Sequence, residues 1–500
     1  MLRRLLSRKT LIRTGIVLAV LAMLVAIFYA EENWRGRRAW EDYRAAAEKR
    51  GVKLFLKDFI PADIPDAENY AAVPVIRDLF VKRKEGADAP NPFRFPTSSA
   101  KPPEPPNDIK GQRFDSTKWQ EFFLKTKLLH EKSDSAAGDI LRALEKYEPV
   151  LQQLRDASSR PKCKFPTHWE DGVATALPHL SGAQGAGRML ALKARAHLQL
   201  GDSPAALAEL RHSFWLHEAL QSELSLIAGL VRNGILAVNE GVIWDGLAAG
   251  QWRDEELAAL EKQFAALRIG DDWRFAFATE RGFVNASLFM QADQSAVELE
   301  RELQSFCIEF GESPSMTWIA LRTFPRGWRY RALIRANEYF DWLIARCKGP
   351  DDATPPAVFP TEATSKSWFM EHPANAGVMK LERVFMMLSL PVFDSAYKGY
   401  LYAHVRAQET RIACALERFR HANGAFPEKL EQLVPQFLPA LPLDPFDAKA
   451  LRYRLNEDGG YSLWSVGPDR KDDGGKVDPK TDARSQADWI WHMPGHASAP

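Results

Sequence analysis

Three short runs near the end of the chain decide how it is read: Asn423-Gly424-Ala425-Phe426-Pro427, Leu441-Pro442-Leu443-Asp444-Pro445-Phe446, and Val466-Gly467-Pro468-Asp469-Arg470-Lys471-Asp472-Asp473-Gly474-Gly475. Before them, Ala396 to His421 has helical periodicity. Leu401, Val405, Ile412, Leu416 and Phe419 form an apolar stripe, with Arg406, Glu409, Glu417 and Arg418 largely off it. Asn423-Gly424 supplies the left-handed residue that stops such a helix. Pro427 opens a short helix carrying Leu430, Leu433 and Val434, and Pro439, Pro442 and Pro445 then break the chain into turns. Leu451 to Leu455 alternates as a strand does and pairs across Asn456 to Gly460 with Tyr461 to Val466. The pattern predicts a small α+β module at the C-terminal end.

The loop after that hairpin is acidic. Asp469, Asp472, Asp473, Asp478, Asp482 and Asp488 repel one another, which is tolerable in a solvated loop or around a hard divalent cation that gathers about six to eight oxygens. Gly474 and Gly475 permit a tight turn. Asp469, Asp473 and Gly474 partly mimic the first, fifth and sixth positions of an EF-hand, but Lys471 and Lys480 stand where that loop needs ligands. Trp489-Ile490-Trp491 can pack as a final strand and hold Asp488 in place.

In order and spacing these motifs resemble the globular end of the major pseudopilin of type II secretion systems. That family has an Asn-Gly-x-(Phe/Tyr)-Pro turn, a Leu-Pro-x-Asp-Pro-(Trp/Phe) turn and a calcium-binding Gly-x-Asp loop with paired glycines. The matching residues are Asn423, Gly424, Phe426, Pro427, Leu441, Pro442, Asp444, Pro445, Phe446, Gly467, Asp469, Gly474 and Gly475, in a module covering about a fifth of the chain. The resemblance implies calcium as a bound ion, with Asp469, Asp473 and Asp488 as side-chain ligands and the Val466 carbonyl assisting. Arg470 stands where the family usually has glycine, and the loop is longer. Pseudopilins carry their helix directly behind a processed leader with a glutamate near the mature start. Here Arg13 precedes the apolar run, no such glutamate follows, and hundreds of residues intervene. A borrowed fold unit is therefore expected, in place of a polymerising subunit.

At the other end, Arg3, Arg4, Arg8, Lys9 and Arg13 precede an uncharged apolar run, Thr14 to Ala30, close to the shortest length that spans a bilayer. The charge bias predicts a cytoplasmic start and an extracytoplasmic bulk. Phe28-Tyr29-Ala30 makes a poor signal-peptidase site, so the run is read as a retained anchor in a bacterial inner membrane. Glu31 to Arg50 should continue the helix into solvent, interrupted only at Gly36. Ala89 to Asn107, with seven prolines, reads as a stiff surface connector.

From Ser116 to Cys347 the pattern is helical. Gly201 followed by Ser203-Pro204 predicts a stop, a serine cap and a proline in the next first turn. Leu207, Leu210 and Phe214 then share one face. Asp254-Glu255-Glu256 opens a helix bearing Leu257, Leu260, Phe264 and Leu267. Phe324 to Trp342, rich in rings and arginines, reads as core rings with arginines reaching outward, an interfacial surface being the other choice. His212 and His217-Glu218 lack zinc-protease spacing, because Gln221 stands four residues after His217. Both read as ordinary, partly exposed histidines. Glu280, Glu298 and Glu302 resemble any solvated helix face.

Composition narrows the function. Lys and Arg total 66 against 65 Asp and Glu, so no net field argues for nucleic acid. Cys163, Cys307, Cys347 and Cys414 include no Cys-x-x-Cys, leaving one or two disulfides or buried thiols open. The expected chain is mainly α with a C-terminal α+β module: an anchor (14–30), a membrane-proximal helix and proline-rich connector (31–110), a helical domain (111–348), a linker and helix (349–393), and the pseudopilin-like module (394–500), with the helical part folding alone. The expected role is structural or interactive, with the membrane and an envelope or secretion protein as partners. An enzyme with its site in the helical domain is the rival.

Overall fold

The computed structural model describes residues 8–81, 91–96, 100–103, 111–293, 325–347, 380–478, 481, 484 and 487–495. Glu298, Glu302, Cys307, Lys480 and Asp482 lie outside them. The described chain is mainly helical with one small antiparallel sheet, and it divides into two compact units.

The first unit (residues 1–59, 278–343 and 365–391) is organised by α1, Arg8–Lys49. At 1.5 Å per residue this helix is about 63 Å long. Its apolar side chains from Leu11 to Phe28 are exposed. From Tyr29 on the pattern changes: Glu32, Gly36, Trp40 and Ala47 are buried and Tyr29, Asn33 and Tyr43 half-buried, a stripe at three- and four-residue spacing. That stripe packs on α10, Arg326–Ile344, so the helix expected to run into solvent has one covered face. Gly36 does not interrupt it. A Cβ on Gly36 would stand 2.1 Å from the Gly327 carbonyl oxygen, and one on Gly327 would stand 1.8 Å from that of Glu32. Only glycine allows the two backbones so close. Beside this crossing the Gly327 N–H donates to Asn33 Oδ1 (2.9 Å), and the Trp328 indole N–H (2.7 Å) and Arg331 (2.9 Å) both donate to Glu32. Trp40, Ala47, Leu54, Tyr330 and Leu333 form the local core.

The second unit (residues 60–277, 344–364 and 392–500) contains α2, Ser116–Lys125; α3, Ala136–Leu144; α4, Glu148–Ala157; α5, Pro178–Gln199; α6, Ser203–Ala219; α7, Leu226–Ala248; and α8, Asp254–Ala265. α9, Ile269–Asp293, contributes Trp273 and Phe277 to its core. The core takes Phe122, Phe123, Ile140, Leu144, Leu151, Met189, Leu190 and Ile235 from the helices. Part of the proline-rich connector joins them. Phe93 is buried against Gly185, and Phe95 meets Trp119, Phe122, Phe123 and Tyr147 edge-on, so this stretch is pinned by its rings and is not a plain surface loop.

The local signals act largely as expected, with one exchange. Gly201 ends α5 with φ +76°, but Asp202, not Ser203, caps α6 by accepting the Ala205 N–H (3.1 Å). Ser203 instead donates to Glu256 (2.9 Å). Leu207, Leu210 and Phe214 are buried, as are Leu257, Leu260 and Phe264 of α8, which opens at Asp254.

α11, Lys380–Asn423, begins earlier than its periodicity indicated and stops before Gly424 (φ +82°). The sheet follows with order β1-β2-β3: β1, Arg452–Leu455; β2, Tyr461–Ser465; β3, Trp489–Met493. Arg452 pairs with Trp464, and Ser465 with Trp489. α11 is covered on two sides. Tyr402 meets Trp489 edge-on (5.2 Å), and Arg406 lies over Trp491 (4.6 Å). Tyr400 packs on Trp273, while Arg411 bonds Glu261 (3.0 Å) and Arg418 bonds Asp254 (3.1 Å). Arg406, Glu409 and Glu417, off the apolar stripe, are therefore buried too. The outer edge of β3 is capped by side chains: the Trp244 indole N–H donates to the His492 carbonyl (2.8 Å) and Arg406 to that of Ile490 (3.4 Å).

Candidate functional site

The acidic loop hangs between β2 and β3, fixed at both ends by buried carboxylates. Asp444 is fully buried and binds four donors: the Phe446 N–H (2.9 Å), Ser465 Oγ (3.0 Å), the Val466 N–H (2.9 Å) and Arg452 (3.4 Å). Burial nonetheless lifts its carboxyl above the usual range. Val466, the expected carbonyl ligand, is buried at the end of β2 with its N–H given to Asp444. Gly467 (φ +63°) faces the Ala487 carbonyl so closely that a Cβ would stand 2.0 Å from it. This contact joins the two ends of the loop.

Asp488 is the second buried carboxylate. Its Oδ2 accepts the Gly475 N–H (2.8 Å), while Oδ1 is buried and has no hydrogen-bond partner among the described residues. Burial raises its pKa, Asp472 and Asp473 add to the rise, and the backbone N–H groups of Gly475 and Asp473 oppose it. Asp473 is exposed beside it. Asp469, in contrast, is exposed and accepts the Lys471 N–H (3.0 Å), a turn closed within itself. Asp472 accepts from the Trp464 indole (2.9 Å) and the Gly474 N–H (3.0 Å) and faces Arg452 (3.7 Å); the Trp464 bond leads in holding its pKa down. Asp478 accepts from Thr481 (2.7 Å). Of the expected ligands, the structure thus brings Asp473 to Asp488 and leaves Asp469 in its own turn. Among the described residues no three His, Cys, Asp or Glu side chains are arranged to share a metal. Arg470 adopts φ +60°, the conformation its glycine counterpart would take freely.

The helical region holds buried and half-buried polar clusters that periodicity did not disclose. Arg155 and Lys193 alternate with Glu148 and Glu209 across α4, α5 and α6, two cations to two anions. His179 bonds Glu223 (2.7 Å) and stacks on Phe165 (4.2 Å) and Phe80 (5.3 Å). Arg406 lies between Glu409 (3.4 Å) and Glu240 (3.9 Å). His217 is buried, not partly exposed; its pKa falls well below normal through burial, then through Arg232, which donates to its carbonyl (2.9 Å). His212 is half-buried, its pKa lowered by burial and by Arg155. Cys163 and Cys414 are free thiols, and burial pushes up the thiols of Cys163, Cys347 and Cys414 alike. An acid in mid-helix looks solvated in sequence, and its partner lies tens of residues away, so no linear motif could have paired Arg155 with Glu209 or His179 with Glu223.

No family model, no curated protein and no solved structure matches this chain.

Proposed function

We propose that this is a single-pass membrane protein of the bacterial inner membrane with an extracytoplasmic scaffold, and that its pseudopilin-like end holds calcium and docks an envelope or secretion protein. The change along α1 supports the membrane half best: exposed apolar side chains up to Phe28, then a single buried stripe. What supports the ion is the buried Asp488 Oδ1, which has no hydrogen-bond partner among the described residues of a loop of acids, an oxygen whose burial is costly and which a hard cation would satisfy. Asp488 and Asp473 would be its first holders, joined by Asp469 if its turn opens and by the Val466 carbonyl. The ion would link β2 to β3 and stiffen the surface between them. In the helical region charged groups such as Arg155, Lys193, Glu148 and Glu209 neutralise one another, which favours scaffold over enzyme.

Calorimetry with calcium on the detergent-solubilised full chain tests the ion. Heat and thermal stabilisation, both lost in Asp488→Ala, are expected; neither effect at millimolar calcium would end the reading. A reporter fused after Pro500 that is active only in the cytoplasm would reverse the topology.

A further inference from the structure

The face of α1 turned away from α10 carries a row of apolar side chains, Ile16, Val20, Met23 and Ile27, all exposed and set at four- and three-residue spacing. Trp34 continues the row seven residues after Ile27. It is 63% exposed, more than any other large apolar side chain described. The contact with α10 leaves it uncovered, because that contact uses Glu32, Gly36 and Trp40, about half a turn away round the helix. Arg38, one turn on, lies over the Trp34 ring at 5.7 Å. Helical side chains lean toward the N-terminus, here toward the end of the apolar run. The neighbouring arginines have carboxylates on the same helix: Arg35 faces Glu31 and Glu32, Arg37 faces Glu41, and Arg44 faces Glu48. Arg38 is exposed and has no ion pair among the described residues.

Depth decides what meets this pair. A hydrocarbon core of about 30 Å in a bilayer of about 40–45 Å leaves a headgroup layer about 5–7 Å deep on each side. At 1.5 Å per residue the Trp34 backbone stands about 6 Å past Ala30, within that layer. The Arg38 backbone is about 12 Å past it, but the guanidinium reaches back to the level of the ring. Tryptophan favours this layer, and a guanidinium stacked by its face keeps an N–H edge to offer two phosphate oxygens. We propose that Trp34 and Arg38 form a headgroup site for anionic phospholipid on the leaflet where α1 leaves the membrane. The proposal rests on the reading of α1 as a membrane anchor. Continuity with the apolar row and a positive charge unmatched on the helix select the occupant. The contact sets the depth of an apolar run only just long enough to span.

The test uses the full chain in nanodiscs of phosphatidylcholine and phosphatidylglycerol in equal amounts, with bromine on the acyl chains of one lipid or of the other. Subtracting the emission of Trp34→Phe from that of wild type isolates the Trp34 signal among 15 tryptophans. Brominated phosphatidylglycerol should quench that signal more than brominated phosphatidylcholine does, at a local enrichment of about fivefold, the effect of one arginine near an anionic surface. Each Arg38 variant is measured against its own Trp34→Phe partner. Arg38→Gln should be quenched equally by the two lipids, whereas Arg38→Lys should keep the preference. Equal quenching in wild type, or a preference unchanged in Arg38→Gln, overturns the headgroup site while leaving Trp34 at the bilayer. Quenching by neither lipid, with the chain still in the nanodisc, overturns the site as well. Release of wild type from membranes by alkaline carbonate overturns the anchor reading and the site with it.

Discussion

Asp488 is a carboxylate in a place that resists charge, and its titration can be read. Its pKa is raised in the folded chain, chiefly by burial, above the unfolded value of about 3.9. Protonated Asp488 therefore favours folding; that contribution is full below the unfolded value and is lost as pH rises through the folded one. Asp488→Asn cannot lose it. Without divalent ions the variant should melt above wild type at neutral pH, and the gap should close as pH falls toward about 4. A gap independent of pH would mean that the carboxylate is stabilised by something else. Arg470 gives a simpler expectation. A left-handed non-glycine residue costs about 1–2 kcal/mol, so Arg470→Gly should raise the melting temperature by a few degrees, checked by calorimetry. Gly474 and Gly475 were legible as turn residues because their φ values are local needs. The burial of Asp488 was legible only through the aromatic run after it.

Between elements, the α1–α10 crossing carries the most exacting fit. Gly36→Val would push a branched side chain into the Gly327 backbone, at a cost of about 3 kcal/mol. Expected is a lower melting temperature with the chain still pelleting with membranes; an unchanged melting curve would show that the helices do not meet as described. This contact was illegible because a glycine inside a charged helical run reads as a weakness. Elements marked by turns were easier: the β1–β2 hairpin, the third strand and the starts of α6 and α8 all sit at short-range signals. The capping exchange at Asp202 shows the resolution of such signals, since neighbouring Asp and Ser cap equally well and Glu256 claims the serine.

At the scale of the molecule, residues 392–500 share a compact unit with residues 60–277. The sequence had predicted a helical part able to fold alone, because periodicity shows a covered face only when the other face is wet. α11 is covered twice, so its acids looked like solvent contacts while Glu409 was in fact buried with Arg406. Removing 392–500 would bare Trp244 and Trp273 and leave Glu240 and Glu261 without their arginines. The remaining piece should lose its cooperative thermal transition by circular dichroism; a sharp transition would restore the separable module. The bond from Trp244 to His492, finally, spans 248 residues of chain. At about 5–20 residues per second, a ribosome needs about 12–50 s to deliver the partner strand. On the proposed reading of α1 as a membrane anchor, α7 would wait through that interval beside the bilayer, and α7 itself has a window of mean hydropathy 1.4, sufficient to be mistaken for a second span. Arg232, Asn239 and Glu240 stand in its middle, and residues of this kind oppose insertion by about 2.5–3.5 kcal/mol per charge. On that reading the buried polar groups of α7 would act before folding as well as after it, keeping a nascent segment out of the lipid until the last strand arrives.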